Sequence, residues 1–489
     1  MKPTRLLVAT LLLTASAAAQ GQALTIYNQN FAVVRDQVAL DLQQGQNDVQ
    51  FVGVTTQLEP DSVVLRDPSG KVALAVLEQN YRADTISQGL LLQRYEGQEI
   101  DFVVTDRDGS ERTVRGRIVR SGYVPAFAAN RNQGGEAPIV EVGGKLRFSL
   151  PGQPLFPALT DDAILQPTLH WRLFADAAAR LDAEVSYVTA GLSWQASYNL
   201  IAPEQGDVMD IVGWVTIDNQ SGKAFPEATI KLMAGDVNKI QPEGGPRSGG
   251  DDMFLGGMRR AAAPEVTEKA FDEFHLYSLP LPTTLHDRQQ KQVEFVRAIG
   301  VKTQTLYIYN GADTGPYRGW NMETIRNQPD YGTQSNPKVW VMREFLNTEA
   351  NGLGIPLPKG RTRFYRRDDA DGRLEFTGEN LIDHTPKDER VRIYTGDAFD
   401  VVGERKRTDY GLSNNQHQLE EAFEIRVRNQ KDTAIEVRIA ERLYRWLNWR
   451  VIQKSHDFVQ TDAQNIEFRV QVPPGGETVV TYRVRYDWQ

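Results

Sequence analysis

Alternation of apolar and polar residues at every second position restricts the fold of this chain most, because a half-buried extended strand reads that way. In Phe423-Glu-Ile-Arg-Val-Arg-Asn429 the apolar positions are Phe423, Ile425 and Val427, with charges between them. Gln430-Lys-Asp432 supplies a turn, and Ile435, Val437 and Ile439 resume the alternation, which predicts an antiparallel hairpin. Ile466, Phe468, Val470 and Val472 follow, then the breaker Pro473-Pro-Gly-Gly476, then Val480, Tyr482, Val484 and Tyr486 on one face of a last strand. Strands at this spacing predict an immunoglobulin-like β-sandwich over 396–489.

The same signal runs through the rest of the chain. Ile26, Phe31, Val33 and Val38, then Val49 to Val52, Val63 to Leu65 and Val72 to Leu77, predict a small β-domain over 24–90. Short strand patterns around the turn at Asp106 to Gly109 predict a small inserted β-barrel over 91–150. A central β-domain over 151–395 completes the expected architecture, which is mainly β and built of several antiparallel sandwiches. Within it Trp171 to Val185 is Ala-rich and reads as helix by propensity, whereas its neighbours read as strand. The Gly/Pro/Ala-rich stretch 241–267 predicts a flexible loop.

Lys2 and Arg5, the apolar run Leu6 to Leu13 and the small residues Ala15 to Ala19 have the order of a cleavable secretory signal over 1–19, with cleavage after Ala19 or Ala23. Removing it takes away two of the 55 basic residues and none of the 64 acidic ones, leaving a net charge of −11. That balance argues against nucleic acid as a partner, and the basic run Arg361 to Arg367 reads as solvated strand faces. No later stretch is apolar for long enough to span a membrane as a helix. The expected location is the periplasm or the cell exterior, free or associated with the envelope. With no cysteine at all, disulfide scaffolds, thiol nucleophiles, zinc–thiolate and iron–sulfur sites are excluded.

Several strings are more specific. Ser186-Tyr-Val-Thr-Ala-Gly-Leu-Ser-Trp-Gln-Ala-Ser-Tyr198, Gly213 to Gly222, Leu232-Met-Ala-Gly-Asp-Val237, Gly354-Ile-Pro-Leu-Pro-Lys-Gly360, Ile382-Asp-His-Thr-Pro-Lys-Asp-Glu389 and Gly396-Asp-Ala-Phe-Asp-Val401 occur in this order. From about Val185 onward the chain resembles the bacterial exported proteins of the family called domain of unknown function 4139. The resemblance implies a mainly β fold with an immunoglobulin-like C-terminal domain, and it turns Trp171 to Val185 towards strand. It brings no activity, cofactor or site residue with it.

Two groups of residues are candidates for chemistry. His384 is flanked by Asp383, Asp388 and Glu389, and a carboxylate beside an imidazole is how a general base is oriented. Asp383, His384 and Glu389 are therefore the catalytic candidates, against the simpler reading of a polar turn ended by Pro386. Tyr317, Trp320 and Tyr331 lie in a Gly/Pro/Asn-rich stretch and are ligand-binding candidates, since aromatics on exposed loops stack on sugars or anchor protein partners. The alternative is that they are core residues. Asp368-Asp-Ala-Asp-Gly372 lacks the EF-hand spacing and reads as a hairpin turn, and no metal or cofactor is expected.

Three functional readings follow. The first is a non-enzymatic binding or structural protein that recognises an envelope protein or glycan. The second is a hydrolase-like or metal-assisted enzyme centred on Asp383, His384 and Glu389, and the third is a spacer or assembly factor of an envelope complex.

Overall fold

The alternation does form strands. In Gln418–Asn429 the residues Leu419, Glu421, Phe423, Ile425, Val427 and Asn429 are all buried, while those between them are half-buried or exposed. In the computed structural model, which describes residues 21–106, 108–124, 137–157, 164–204, 206–235, 237, 239, 266–271, 274–413 and 417–488, strands take 61% and helices 5% of the described residues. The expected mainly β class with several sandwich-like sheets is what the chain adopts. The predicted signal 1–19 and nearly all of the predicted loop 241–267 lie outside the described residues. Among the described residues no helix is long and apolar enough to cross a membrane.

The chain divides into two compact units, the first comprising 1–194, 217–237 and 276–291 and the second the remainder. In the first, Phe225–Ala234 pairs in parallel with Ala23–Tyr27, which pairs antiparallel with Phe31–Leu42, followed by Ala179–Ala190 and Val64–Arg66. Thr168–Ala175 lies between Gly45–Val52 and Leu74–Arg82. The Ala-rich stretch is thus strand, because Leu169, Trp171, Leu173 and Ala175 alternate into the core and tertiary burial overrides helix propensity.

The predicted inserted barrel is instead an open sheet, ordered Gln153–Leu155, Glu99–Thr105, Glu111–Arg120, Ile139–Val142, Lys145–Arg147. Its end strands are three residues long, too short to close a cylinder. A helix, Gln88–Arg94, supplies the missing cover by packing Leu92 on Ile100, Phe102, Ile118 and Val140. Ser87 caps it, its hydroxyl accepting from the Leu90 N–H at 3.2 Å.

In the second unit a nine-stranded sheet runs in the order Trp449–Lys454, Glu477–Asp487, Gln418–Asn429, Arg390–Leu412, Lys338–Leu346, Gln304–Tyr309, Ile435–Arg442, Asn465–Val472, Phe458–Gln460. Phe468 and Tyr482 come from strands far apart in that order, yet their rings are 5.7 Å apart, so the sheet folds over on itself as a two-layered sandwich. This sheet takes in Gln304–Tyr309 and Lys338–Leu346 and therefore begins well before the expected boundary at 396.

The predicted hairpin is also corrected. Gln418–Asn429 pairs with Arg390–Leu412 and Glu477–Asp487, whereas Ile435–Arg442 pairs with Gln304–Tyr309 and Asn465–Val472. Two strands with the same inward face can lie side by side or oppose each other across a core, and alternation does not distinguish the two. The crossover is fixed by buried Asn429, whose amide donates to Thr433 O at 2.9 Å and Pro473 O at 3.1 Å.

Burial of so many tyrosines has an alkaline consequence. Burial holds the Tyr187, Tyr309, Tyr444, Tyr482 and Tyr486 hydroxyls well above the ordinary value of 10.0 and pushes Tyr81 up to about 12. Because the folded chain holds these protons longer than the unfolded chain, the stability they contribute is whole below pH 10 and falls as pH rises above it. A spectrophotometric titration should show fewer than the chain's 17 tyrosines ionising around pH 10.5, the rest appearing together with loss of the far-ultraviolet strand signal. Smooth ionisation of all of them near 10 with the fold intact would contradict this burial.

Candidate functional site

Asp383, His384 and Glu389 follow the strand Leu374–Ile382 on a turn organised by Asn347, which is fully buried. The Asn347 amide donates to Ile355 O at 2.7 Å and Pro386 O at 2.9 Å, and its backbone exchanges bonds with Glu389 O and the Asp388 N–H. Thr385 bridges to Leu357 through two backbone bonds, and its hydroxyl donates to Asp383 O at 2.9 Å. The side chains of interest point away from this framework. The Asp383 carboxylate is 89% exposed and stands 3.7 Å from Lys359. His384 is exposed and accepts the Lys359 N–H at 3.2 Å on Nδ1, and Glu389 is exposed as well. Three solvated groups on a turn have no enclosed space in which to exclude water from a substrate. Among the described residues no group of three or more His, Asp or Glu could hold a metal ion.

Tyr317 and Tyr331 are not exposed loop aromatics, because both are buried in the core of the sandwich and Trp320 packs half-buried against them. Tyr317 lies 5.1 Å from both Trp320 and Tyr331, and Tyr331 lies 5.3 Å from Tyr444. The Tyr317 hydroxyl donates to Asp330 O at 2.7 Å.

What brings the Gly/Pro/Asn-rich segment down onto the sheet is a set of arginines. A loop packed against a core must find donors for its carbonyls. Arg445, fully buried, donates to Ile325 O at 2.6 Å, Gln328 O at 2.7 Å and Tyr331 O at 3.0 Å. Arg405 donates to Gly332 O at 2.9 Å, Arg407 to Pro329 O, and the Tyr410 hydroxyl to Asn327 O at 2.7 Å. Two buried carboxylates pair with these three guanidiniums. Glu421 accepts from Arg445 at 2.8 Å and from Arg407 at 3.2 Å, and Glu441 accepts from Arg405 at 3.0 Å and from the Tyr482 hydroxyl at 2.5 Å. With no solvent exposure on either carboxylate side chain, this network is a lock on the loop and not acid–base machinery. Sequence reasoning missed it, although the alternation that puts Phe423 inside also puts Glu421 inside.

A separate feature of the same unit is a cavity of about 140 Å³, lined among others by Met209, Val341, Arg343, Phe364, Arg366 and Asp397. Its walls come from two sheets. Val341 and Arg343 stand on Lys338–Leu346, and Phe364 and Arg366 on Gly360–Arg367, a strand of the five-stranded sheet that includes 195–203 and 208–216. Arg343 is 6% exposed and donates through Nη1 to Gly206 O and the Thr303 hydroxyl, both at 3.3 Å. Asp397 is already engaged, accepting from the Tyr394 hydroxyl at 2.8 Å and pairing with Lys338 at 3.0 Å, and these contacts hold its carboxyl below the usual range.

No protein family, no curated protein and no solved structure matches this chain in comparison.

Proposed function

We propose that this chain is an exported bacterial envelope protein of the family its sequence resembles, acting by binding a protein or glycan and not by catalysis. The reading rests on the N-terminal segment of secretory character, on a strand-built chain, and on the solvated position of Asp383, His384 and Glu389. The observation that carries it is Phe399, which is 96% exposed, well beyond Leu346, Ile452 and Val459, the other exposed large apolar residues on strands of the same sheet. It sits where the Arg390–Leu412 strand loses register with its neighbour, between the pairs Lys338 with Val402 and Trp340 with Asp397. Such an irregularity re-aims a side chain, and an aromatic held out in water is a contact for a sugar face or a protein pocket.

In intact cells, cross-linking followed by capture of the tagged exported chain should return an envelope protein or glycan reproducibly. The variant Phe399→Ser should lose most of that capture while its melting temperature stays within about 2 °C of the parent, because an exposed side chain contributes little to folding. Undiminished capture by the variant would remove Phe399 from the interface, and an abundant exported chain that captures nothing would end the binding reading.

A further inference from the structure

Successive residues of one strand receive opposite treatment. Glu344, buried, is clamped by Arg390 at 3.0 Å and Arg392 at 2.7 Å. Arg343, next to it and directed to the other face, forms no ion pair among the described residues, and its bonds go to two neutral acceptors at 3.3 Å. A guanidinium has five donors and is costly to bury without a counter-charge. Arg366 lines the same cavity, donates to Glu204 O, and likewise forms no ion pair among the described residues. Its neighbours on the strand differ, since Arg361 and Arg363 both approach Glu379, at 3.7 and 3.8 Å. Burial and the nearby Arg366 charge lower the Arg343 pKa, with the Asp207 charge opposing them. Two like charges thus share a partly enclosed space whose one carboxylate, Asp397, is occupied by Lys338 and Tyr394.

The remaining walls decide the ligand class. Met209, Val341 and Phe364 make one side apolar. The two threonine hydroxyls in the lining donate to backbone, Thr377 to Phe364 O and Thr395 to Val341 O. A phosphate has oxygens on every side, and those turned to Met209, Val341 and Phe364 would find no donor, whereas a carboxylate places both oxygens on the guanidinium forks and leaves its tail to the apolar side. A cavity of about 140 Å³ is close to the ~150 Å³ that admits benzene in an engineered protein, so about six heavy atoms fit.

We propose that this cavity binds a small organic acid of about six heavy atoms, its carboxylate on Arg343 and Arg366 and its alkyl chain against Met209, Val341 and Phe364. The site is independent of Phe399 and of where the protein is located, so each proposal can fail without the other.

Isothermal titration of the intact exported chain at low salt tests it with butyrate as probe and acetate, butylamine and inorganic phosphate as comparisons. Butyrate should bind, acetate should bind about tenfold more weakly for want of two methylenes, and butylamine should give no heat. Arg366→Gln, at a half-buried position that need not disturb folding, should weaken butyrate about tenfold or more. Arg343→Met should abolish binding, read only if its melting curve still shows the folded second unit. No heat with butyrate, equal affinity in Arg366→Gln and parent, or phosphate binding more tightly than butyrate would each overturn the assignment.

Discussion

Glu421→Gln should destabilise the second unit by about 3–5 kcal/mol, the cost of breaking a buried charge pair from one side. The size follows from what is left behind. Arg445 and Glu421 are both fully buried, and the carboxylate serves Arg407 as well. An amide in its place turns an NH2 group towards one of the two guanidiniums, which then faces a donor in a region water does not reach. The double variant Glu421→Met with Arg445→Met should not recover the loss, although paired apolar replacement of a buried ion pair is often neutral. Here Arg445 also satisfies the carbonyls of Ile325, Gln328 and Tyr331, and removing it takes that donor from Ile325 O and Tyr331 O and leaves Gln328 O only a long bond from the Tyr331 N–H at 3.4 Å. Because the chain has two units, a single midpoint is ambiguous, and native-state hydrogen exchange of Gln418–Asn429 is the appropriate readout. A loss below about 1 kcal/mol would mean that the pair behaves like one at the surface.

This network also marks where sequence reading stops. Strand existence was legible because the period-two signal is local, and it placed Phe423, Ile425, Val427, Val480, Tyr482 and Val484 inside, where they are. Pairing was not legible, since Ile435–Arg442 carries the same inward face whether it lies beside Gln418–Asn429 or across the core from it. The barrel expected over 91–150 failed for a related reason, because closure depends on end strands and on a covering helix that short strand patterns do not encode.

Among candidate site residues, the turn at Asp383 to Glu389 was readable as a turn, and its solvent exposure was not. The aromatics Tyr317 and Tyr331 looked like loop residues because Gly and Pro surround them. Their rings are nevertheless buried, since arginines distant in sequence supply the donors that hold the loop's carbonyls against the sheet. Extending the alternation one step from Phe423 to Glu421, and from Ile439 to Glu441, would have exposed two inward carboxylates and called for buried cations. The unmatched Arg343 had no such signal, because a run of arginines on neighbouring strands reads as solvated until the partner of each is known.

The loop side of the lock can be tested through its backbone, and three glycines separate the two physical terms. Gly332→Ala should cost about 2–5 kcal/mol. Its φ of 71° is left-handed, which costs an L-residue roughly 1–2 kcal/mol, and a Cβ there would stand 2.2 Å from the Tyr444 ring, adding overpacking of about 1–3 kcal/mol. Tyr444 cannot retreat without loss, since its hydroxyl donates to Gly332 O at 3.2 Å and its ring packs on Tyr331. Gly319→Ala, in the same segment, carries the first cost alone, because φ is 90° and nothing lies within 4 Å of the new carbon. Gly403→Ala carries the second alone, its backbone not being left-handed and its Cβ falling 2.1 Å from the ring of fully buried Tyr309. If the loop is held as the arginine contacts indicate, Gly332→Ala loses most, and limited proteolysis should begin to cut between residues 321 and 332 in that variant before it does in Gly319→Ala. Equal losses for Gly332→Ala and Gly319→Ala would show that Tyr444 and the loop move apart freely, and the arginines would then be following the loop instead of fixing it.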